Sequence, residues 1–136
     1  MQSSTPPDPA LVTDEAPRIL VVEDEFLIRM VVADHLRDAG FSVVEAFNGD
    51  EAIAILKSGA GIDLVFTDVR MPGSADGLDV LRFVKEHRPE LPVMMTSGHL
   101  EPKLAYAGGA SRFMPKPCNL DLLTVTIQAI LKAGDE

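Results

Sequence analysis

Cysteine is almost absent from this sequence. Cys118 stands alone among 136 residues, so an internal disulfide and a zinc site built from cysteines are both excluded. A reduced compartment is the natural expectation, and we predict a cytoplasmic protein. No stretch approaches about 18 consecutive apolar residues, which predicts no membrane span. The first basic residue is Arg18 and no apolar run of the signal-peptide type precedes it, so export by that route is not expected.

Basic residues are also scarce. The chain has 12 Lys and Arg against 21 Asp and Glu, which gives a formal net charge of −9. This balance argues against a broad surface for nucleic acids or anionic membranes, and it allows an acidic pocket to attract a metal cation. The sequence contains neither a Walker lysine loop nor a G-x-G-x-x-G motif, so nucleotide binding is not predicted.

The length and composition predict one globular domain. Hydrophobic residues make up 46% of the chain and charged residues 24%, which is typical of a folded protein with a sizeable core. Residues 1–17 contain four of the ten prolines and bury little, so we predict a flexible extension there. We expect the domain to cover residues 18–133 and a short tail to cover residues 134–136.

Short apolar runs alternate with segments of helical period. Each run is too short for a helix and is flanked by polar residues, which predicts five buried strands near residues 19–22, 42–45, 64–67, 93–96 and 112–114. Apolar spacing predicts helices between them, over residues 26–38, 50–57, around 78–84 and 101–107, and after Asn119. Ile28, Val31, Val32 and Leu36 form the predicted inner face of the first helix. This order predicts an α/β fold, with a parallel sheet and helices on both faces.

Polar residues follow several of these strands. The first strand is followed by Glu23-Asp24-Glu25, and Asp68, Ser97 and Lys116 follow the third, fourth and fifth. Each has an ordinary explanation alone, and helix capping explains the 23–25 cluster about as well as chemistry does. Together, acids at one sheet edge would repel each other unless a cation such as Mg²⁺ lies among them. Carboxylate, metal, ammonium and hydroxyl are the components of a phosphoryl-transfer site.

Four blocks of sequence resemble the receiver domain of bacterial two-component response regulators. They are Ile19-Leu20-Val21-Val22-Glu23-Asp24-Glu25, Thr67-Asp68-Val69-Arg70-Met71-Pro72-Gly73, Leu91-Pro92-Val93-Met94-Met95-Thr96-Ser97-Gly98 and Phe113-Met114-Pro115-Lys116-Pro117. The resemblance covers roughly residues 18–133. It implies a doubly wound, five-stranded, flavodoxin-like parallel sheet with strand order 2-1-3-4-5.

The resemblance also implies the roles of the acidic residues. Asp68 would accept a phosphoryl group from a phosphohistidine of a histidine kinase or a histidine phosphotransfer protein. Asp24, Asp68 and the backbone carbonyl of Arg70 would ligate Mg²⁺, and Glu23 would reach the ion directly or through water. Glu23 stands where the family more often has aspartate.

The remaining roles implied by the resemblance concern the phosphorylated state. Lys116 would pair with a phosphoryl oxygen and Ser97 would hydrogen-bond the phosphoryl group. Phe113 matches an aromatic residue that swings inward as that hydroxyl moves. Arg70 and His99 match positions that tune the rate of dephosphorylation.

Two further features of the resemblance concern the backbone. The Lys116-Pro117 peptide matches a cis bond of the family. The segment between Ser97 and Phe113 is nearly one turn shorter than usual, so we expect a short, bent or mobile fourth helix.

We therefore predict a stand-alone phosphorylation switch and not an enzyme beyond its own phosphorylation and dephosphorylation. Its fourth helix, fifth strand and fifth helix would change to bind a protein effector, with no output domain and no nucleic-acid or membrane partner. Homodimer formation on phosphorylation stays open. One alternative is a phosphate sink or relay intermediate. Another is an aspartate-nucleophile phosphatase, which is disfavoured because Arg70 stands where a second acid would be needed.

Overall fold

The computed structural model describes residues 16–98 and 102–135. Within them, five strands form one sheet in which every neighbouring pair is parallel and the order is β2-β1-β3-β4-β5. The strands are β1 (Arg18–Val22), β2 (Ser42–Ala46), β3 (Leu64–Asp68), β4 (Val93–Ser97) and β5 (Arg112–Pro115). The predicted flavodoxin-like fold class and its strand order are confirmed.

Within the described ranges, four helices connect these strands and a fifth follows β5. They are α1 (Phe26–Asp38), α2 (Gly49–Lys57), α3 (Gly77–His87), α4 (Pro102–Ala107) and α5 (Leu120–Asp135). The prediction of a short fourth helix is confirmed, because α4 has six residues; Glu101, its predicted start, lies outside the described residues. No helix in the described ranges is long and apolar enough to cross a membrane.

The sheet carries a separate apolar core on each face. One core packs against α2, α3 and α4 and the other against α1 and α5. All five residues of β3 and all five of β4 are buried, as expected for central strands covered on both sides. Each fully buried Val, Leu, Phe or Met side chain contributes about 1.5–3 kcal/mol relative to exposure, so both strands add substantially to the stability of the sheet.

The inner face of α1 differs from the prediction. Val32, Ala33 and Leu36 are buried, whereas Ile28 is 37% exposed and Val31 is 50% exposed. The reason is that apolar residues surround most of the first half of this helix, so the hydrophobic pattern alone does not define which side meets the sheet. The helix is left with an exposed apolar surface.

The ends of the domain extend slightly beyond the predicted boundaries. At the start, the carbonyl of Pro17 accepts a hydrogen bond from the amide of Ser42 at 2.9 Å, so Pro17 is tied to the sheet rather than belonging to the extension. At the other end, α5 continues through Asp135, into the predicted tail. Extending an existing helix is inexpensive compared with starting one, and a single Gly134 costs only about 1 kcal/mol. Residues 1–15 lie outside the described residues.

Candidate functional site

Glu23 is a buried acid at the carboxyl end of β1. The residue is only 4% exposed. Its amide donates a hydrogen bond to the carbonyl of Ala46 at 3.1 Å, which extends the pairing of β1 with β2 by one residue. The carboxylate accepts a hydrogen bond from the amide of Glu25 at 3.1 Å. Glu23 is therefore fixed by both its backbone and its side chain at the start of the turn into α1.

Asp68 is the last residue of β3 and lies at the same edge of the sheet. It is 7% exposed, and its Oδ1 accepts a hydrogen bond from the amide of Arg70 at 3.3 Å. The next amide, that of Val69, donates to the carbonyl of Thr96 at 2.9 Å. These contacts hold the carboxylate against the neighbouring strand β4.

Lys116 joins the two acids. Its Nζ donates to Glu23 Oε1 at 2.8 Å and to Asp68 Oδ2 at 2.9 Å, although these residues lie 93 and 48 positions away in the sequence. The amide of Lys116 donates to the carbonyl of Ser97 at 3.1 Å, which fixes the segment after β5 beside β4. The structure thus brings together three of the residues that the sequence placed at strand ends.

Asp24 completes an acidic cluster. One carboxylate oxygen from each of Glu23, Asp24 and Asp68 lies within 4.8 Å of the other two. Carboxylate oxygens are the ligands that Mg²⁺ prefers, and one or two of them usually suffice because the ion keeps several waters. When all three acids are ionised, the single ammonium of Lys116 leaves the cluster negative. The donor set therefore fits a hard divalent cation.

The charges of this cluster influence one another. Burial raises the pKa of Glu23 above its ordinary value, and Asp68 adds to this effect, while the hydrogen bonds from Lys116 and Glu25 oppose it. For Lys116, burial opposes the ammonium, but its hydrogen bonds to Glu23 and Asp68 outweigh burial and raise the pKa above the usual range. Lys116 is consequently a permanent cation at neutral pH.

Ser97 and Phe113 lie on the neighbouring strands of the same edge. Asp68 pairs with Thr96 in the sheet register, so Ser97, which is buried, comes one residue beyond the level of Asp68. Phe113, on β5, pairs with Met95 of β4 and packs, partly buried, against the core that lies under α2, α3 and α4. Their roles in a phosphorylated state stay predictions.

Several other predicted features can be located. The Lys116-Pro117 peptide is cis, as the resemblance implied. Arg70 lies two residues after Asp68, the candidate phosphoacceptor, and ligation of a metal by its carbonyl stays a prediction. His99 lies outside the described residues. Burial raises the pKa of the Cys118 thiol to about 11, which makes it a poor nucleophile at neutral pH and agrees with a packing role.

Sequence reasoning missed Gly77, which lets α3 begin directly against Asp68. A Cβ atom at this position would lie 1.9 Å from the carbonyl oxygen of Asp68 and 2.8 Å from its carbonyl carbon. The side chain of Asp76 caps the helix by accepting from the amide of Asp79 at 3.1 Å. The signal in the sequence is a glycine just inside a capped helix, where helix propensity disfavours it.

Most of the chain is similar in sequence to a known protein family and to known proteins. Residues 19–128 match the family described as response regulator receiver domain. The chain is 39% identical over 118 residues to the nitrogen assimilation regulatory protein NtrX of Azorhizobium caulinodans, covering 84% of this chain and 26% of that protein. It is 37% identical over 121 residues to the DNA-binding transcriptional regulator NtrC of Salmonella typhimurium, covering 87% of this chain and 25% of that protein. The chain thus spans about a quarter of the length of these relatives.

Solved structures agree with these matches. The receiver domain of NtrX from Brucella abortus is 41% identical, with a TM-score of 0.76, covering 84% of this chain and 98% of that one. A CheY-like receiver domain protein from Methanospirillum hungatei shares the fold at 23% identity, with a TM-score of 0.83, covering 89% of this chain and 98% of that one. By fold, by sequence and by the residues at the edge of its sheet, the chain belongs to the family of response regulator receiver domains.

Proposed function

We propose that this receiver domain is a phosphorylation-dependent switch of a two-component phosphorelay that accepts a phosphoryl group on Asp68 from a phosphohistidine. The observation that carries the proposal is the contact of one ammonium, Lys116, with both Glu23 and Asp68, beside three carboxylates that can share a cation. Family membership implies phosphorylation-dependent signalling with histidine kinases. The identity of the acceptor and of the groups around it is our inference from the family resemblance together with this geometry.

The transfer itself asks little covalent chemistry of the protein. An oxygen of Asp68 forms a bond to phosphorus as the phosphorus–nitrogen bond of the donor breaks, and the leaving imidazole keeps the electron pair and takes a proton. Asp24, Asp68, the carbonyl of Arg70 and Glu23, directly or through water, would hold Mg²⁺. When bound, the ion would supply positive charge toward the phosphoryl oxygens.

Lys116 provides the second positive charge in this scheme. In the unphosphorylated chain its ammonium is shared between two buried acids, 2.8 and 2.9 Å away. A phosphoryl group brings about −1.5 to −2 charges and three acceptor oxygens, so we expect Lys116 to pair with one of these oxygens. The hydroxyl of Ser97 would donate to another, which draws the end of β4 toward Asp68.

The response to this charge is expected on the surface formed by α4, β5 and α5. Movement of Ser97 would open space that the ring of Phe113 can enter, and the two neighbouring helices would follow. We propose that this surface binds a protein effector, and that the chain catalyses only its own phosphorylation and dephosphorylation. The single cysteine supports a reducing compartment, and we place this signalling in the cytoplasm.

The exposed apolar surface of α1 supports a docking role for the phosphoryl donor. Leu27 is 67% exposed and Val31 is 50% exposed. Both side chains border a cavity of about 500 Å³ between α1 and the start of α5. Glu23 and Lys116 line the same cavity, so this surface is continuous with the acidic cluster. A donor helix with an apolar face could pack there and bring its phosphohistidine to Asp68.

The main experiment is incubation with Mg²⁺ and acetyl phosphate followed by measurement of the intact mass. We expect one phosphoryl adduct on the wild-type chain, and none on Asp68→Ala or after removal of Mg²⁺ with EDTA. Failure of the wild-type chain to gain a phosphoryl group, both from acetyl phosphate and from a histidine kinase, would contradict the proposal.

Donor docking is tested with a matched pair of exposed leucines. Leu27→Glu should slow transfer from a phosphorylated histidine phosphotransfer protein at least about tenfold, while phosphorylation by acetyl phosphate stays unchanged. Leu104, which is similarly exposed but lies on α4, provides the control Leu104→Glu, which should transfer normally. Equal slowing of both variants would contradict docking on α1.

The alternatives predict different outcomes. A phosphatase would release phosphate from small phosphomonoesters with multiple turnovers, whereas we expect none. A phosphate sink would have no partner that prefers the phosphorylated form. We expect such a partner to be retained by the chain treated with beryllium fluoride, and not by Asp68→Ala.

A further inference from the structure

Arg29 is a largely buried cation on α1 whose side chain contacts the backbone of Glu23, a residue of the candidate site. Its Nη1 donates to the backbone carbonyl of Glu23 at 2.8 Å, and its Nε donates to Glu45 Oε1 at 3.2 Å. The side chain is 14% exposed, and the guanidinium carbon lies 5.5 Å from the centre of the Phe26 ring. No sequence pattern singled out this residue.

We infer that Arg29 is a positioning residue for the cation site, because it fixes the peptide that joins Glu23 to Asp24. The inference rests on the proposed function, in which these two acids hold Mg²⁺. Arg29 does not touch the acidic side chains in this role; it acts through the backbone between them.

Peptide geometry links the carbonyl of Glu23 to the position of Asp24. The carbonyl oxygen of Glu23 shares one rigid plane with the nitrogen and Cα of Asp24. A hydrogen bond that holds this oxygen therefore also orients the first atoms of Asp24. The amide of Glu23 is held from the other side by Ala46, so both peptides that flank Glu23 are tied. Arg29 supplies the tie on the side that leads to Asp24.

The surrounding charges show why a guanidinium suits this place. Glu45 on β2 accepts from Arg29 through Oε1 and from Arg37 through Oε2, each at 3.2 Å. The planar, forked group of Arg29 can thus bond a carboxylate and a carbonyl at once, which lysine does less well. Glu45 in turn holds the fork in a fixed orientation, and the ring of Phe26 adds a cation–π contact.

A purely electrostatic role for Arg29 predicts the opposite sign. Removing a positive charge near an acidic cluster should strengthen the binding of a cation, because less repulsion remains. Removing a positioning contact should weaken it, because the carboxylates lose part of their arrangement. The direction of the change in Mg²⁺ affinity therefore distinguishes the two roles.

Arg37 offers a matched control. It has the same charge and shares Glu45 with Arg29, but its backbone contact is to the carbonyl of Val43, away from the acidic cluster. Arg37→Met removes one cation from the same network and leaves the peptide after Glu23 untouched.

The test is calorimetric titration of the full chain with Mg²⁺ alone. We expect Arg29→Met to bind Mg²⁺ about tenfold more weakly, Arg29→Lys to be intermediate, and Arg37→Met to stay within about twofold of the wild type. Thermal unfolding of each variant shows whether it is folded. If Arg29→Met does not fold, Arg29→Lys carries the comparison.

Equal or tighter Mg²⁺ binding by the Arg29 variants would overturn the inference, as would equal weakening by Arg37→Met. Phosphorylation of the wild-type chain is measured separately. A wild type that binds Mg²⁺ and becomes phosphorylated, together with unaffected Arg29 variants, would remove only this inference. A wild type that binds no Mg²⁺ would overturn both it and the metal-dependent part of the proposed function.

Discussion

Two corners of the same sheet edge are held with very different firmness. At the β1–β3 corner, Glu23 and Asp68 are almost fully buried and are fixed by backbone bonds, by Arg29 and by Lys116. At the α4–β5 corner, Ala105 is the one buried residue in the six-residue helix α4. The hydroxyl of Tyr106, a residue that is 49% exposed, accepts a single hydrogen bond from the amide of Phe113 at 3.1 Å.

This difference indicates where a new charge at Asp68 would cause movement. The β1–β3 corner can change its charge with little rearrangement, because several contacts fix the position of each acidic side chain. The α4–β5 corner has few buried contacts to lose, so it belongs to the low-stability end of the molecule. We expect phosphoryl transfer to occur at the β1–β3 corner and the conformational response to occur at the α4–β5 corner.

The largest expected effect comes from adding a methyl group where the start of α3 lies against Asp68, at the β1–β3 corner. Gly77→Ala would place a methyl group against the carbonyl of Asp68, so α3 must shift. We expect a loss of about 3 kcal/mol in the free energy of unfolding, at the upper end for overpacking, together with slower phosphorylation. Urea denaturation measures the first effect. Gly61→Ala, whose Cβ would meet no atom within 4 Å, is the control and should change stability little.

Breaking the shared ion pairs comes next. In Mg²⁺-free buffer at neutral pH, Lys116→Met should lose about 2 kcal/mol, less than a fully buried pair would, because the Lys116 side chain is 20% exposed. The raised pKa of Lys116 means that the wild-type pairs persist throughout the neutral range and are lost only as the pH rises through that value. A variant as stable as the wild type would show that the pairs contribute no net stability.

A smaller effect is expected from the pH dependence of Glu23. Its pKa is raised, so the folded chain binds this proton more tightly than the unfolded chain does. Its contribution to stability is present at low pH and falls as the pH rises through the folded pKa. Relative to the wild type, Glu23→Gln should therefore gain stability without Mg²⁺ as the pH rises above the ordinary pKa of a glutamic acid. Parallel stability–pH curves for the two proteins would contradict this expectation.

The smallest effect is expected at the α4–β5 corner. Tyr106→Phe removes one partly exposed hydrogen bond, so we expect a loss of about 0.5–1 kcal/mol, with faster hydrogen exchange at the amide of Phe113. Mg²⁺ affinity should not change, because the two corners are held independently. Weaker Mg²⁺ binding in this variant would show that they are coupled before phosphorylation.

The sequence predicted most of the fold and part of the site. Alternating apolar runs and helical periods, with the family resemblance, were sufficient for the strand order and for the convergence of Glu23, Asp68 and Lys116. The predicted inner face of α1 was right at Val32 and Leu36 and wrong at Ile28 and Val31, because apolar residues surround the first half of that helix. Arg29 was missed because it acts on a backbone atom, and such a contact leaves no pattern of residue types. Gly77 was missed because a glycine just inside a capped helix does not show which part of the backbone it approaches.

The central claim is that Asp68 is the residue that accepts the phosphoryl group in a magnesium-dependent reaction. Its most direct test is to phosphorylate the chain with acetyl phosphate, reduce the acyl phosphate with borohydride and locate the modified residue by peptide mass spectrometry. The account predicts modification at Asp68 alone, and none without Mg²⁺. Modification at another residue, or labelling of Asp68 that is independent of Mg²⁺, would contradict it.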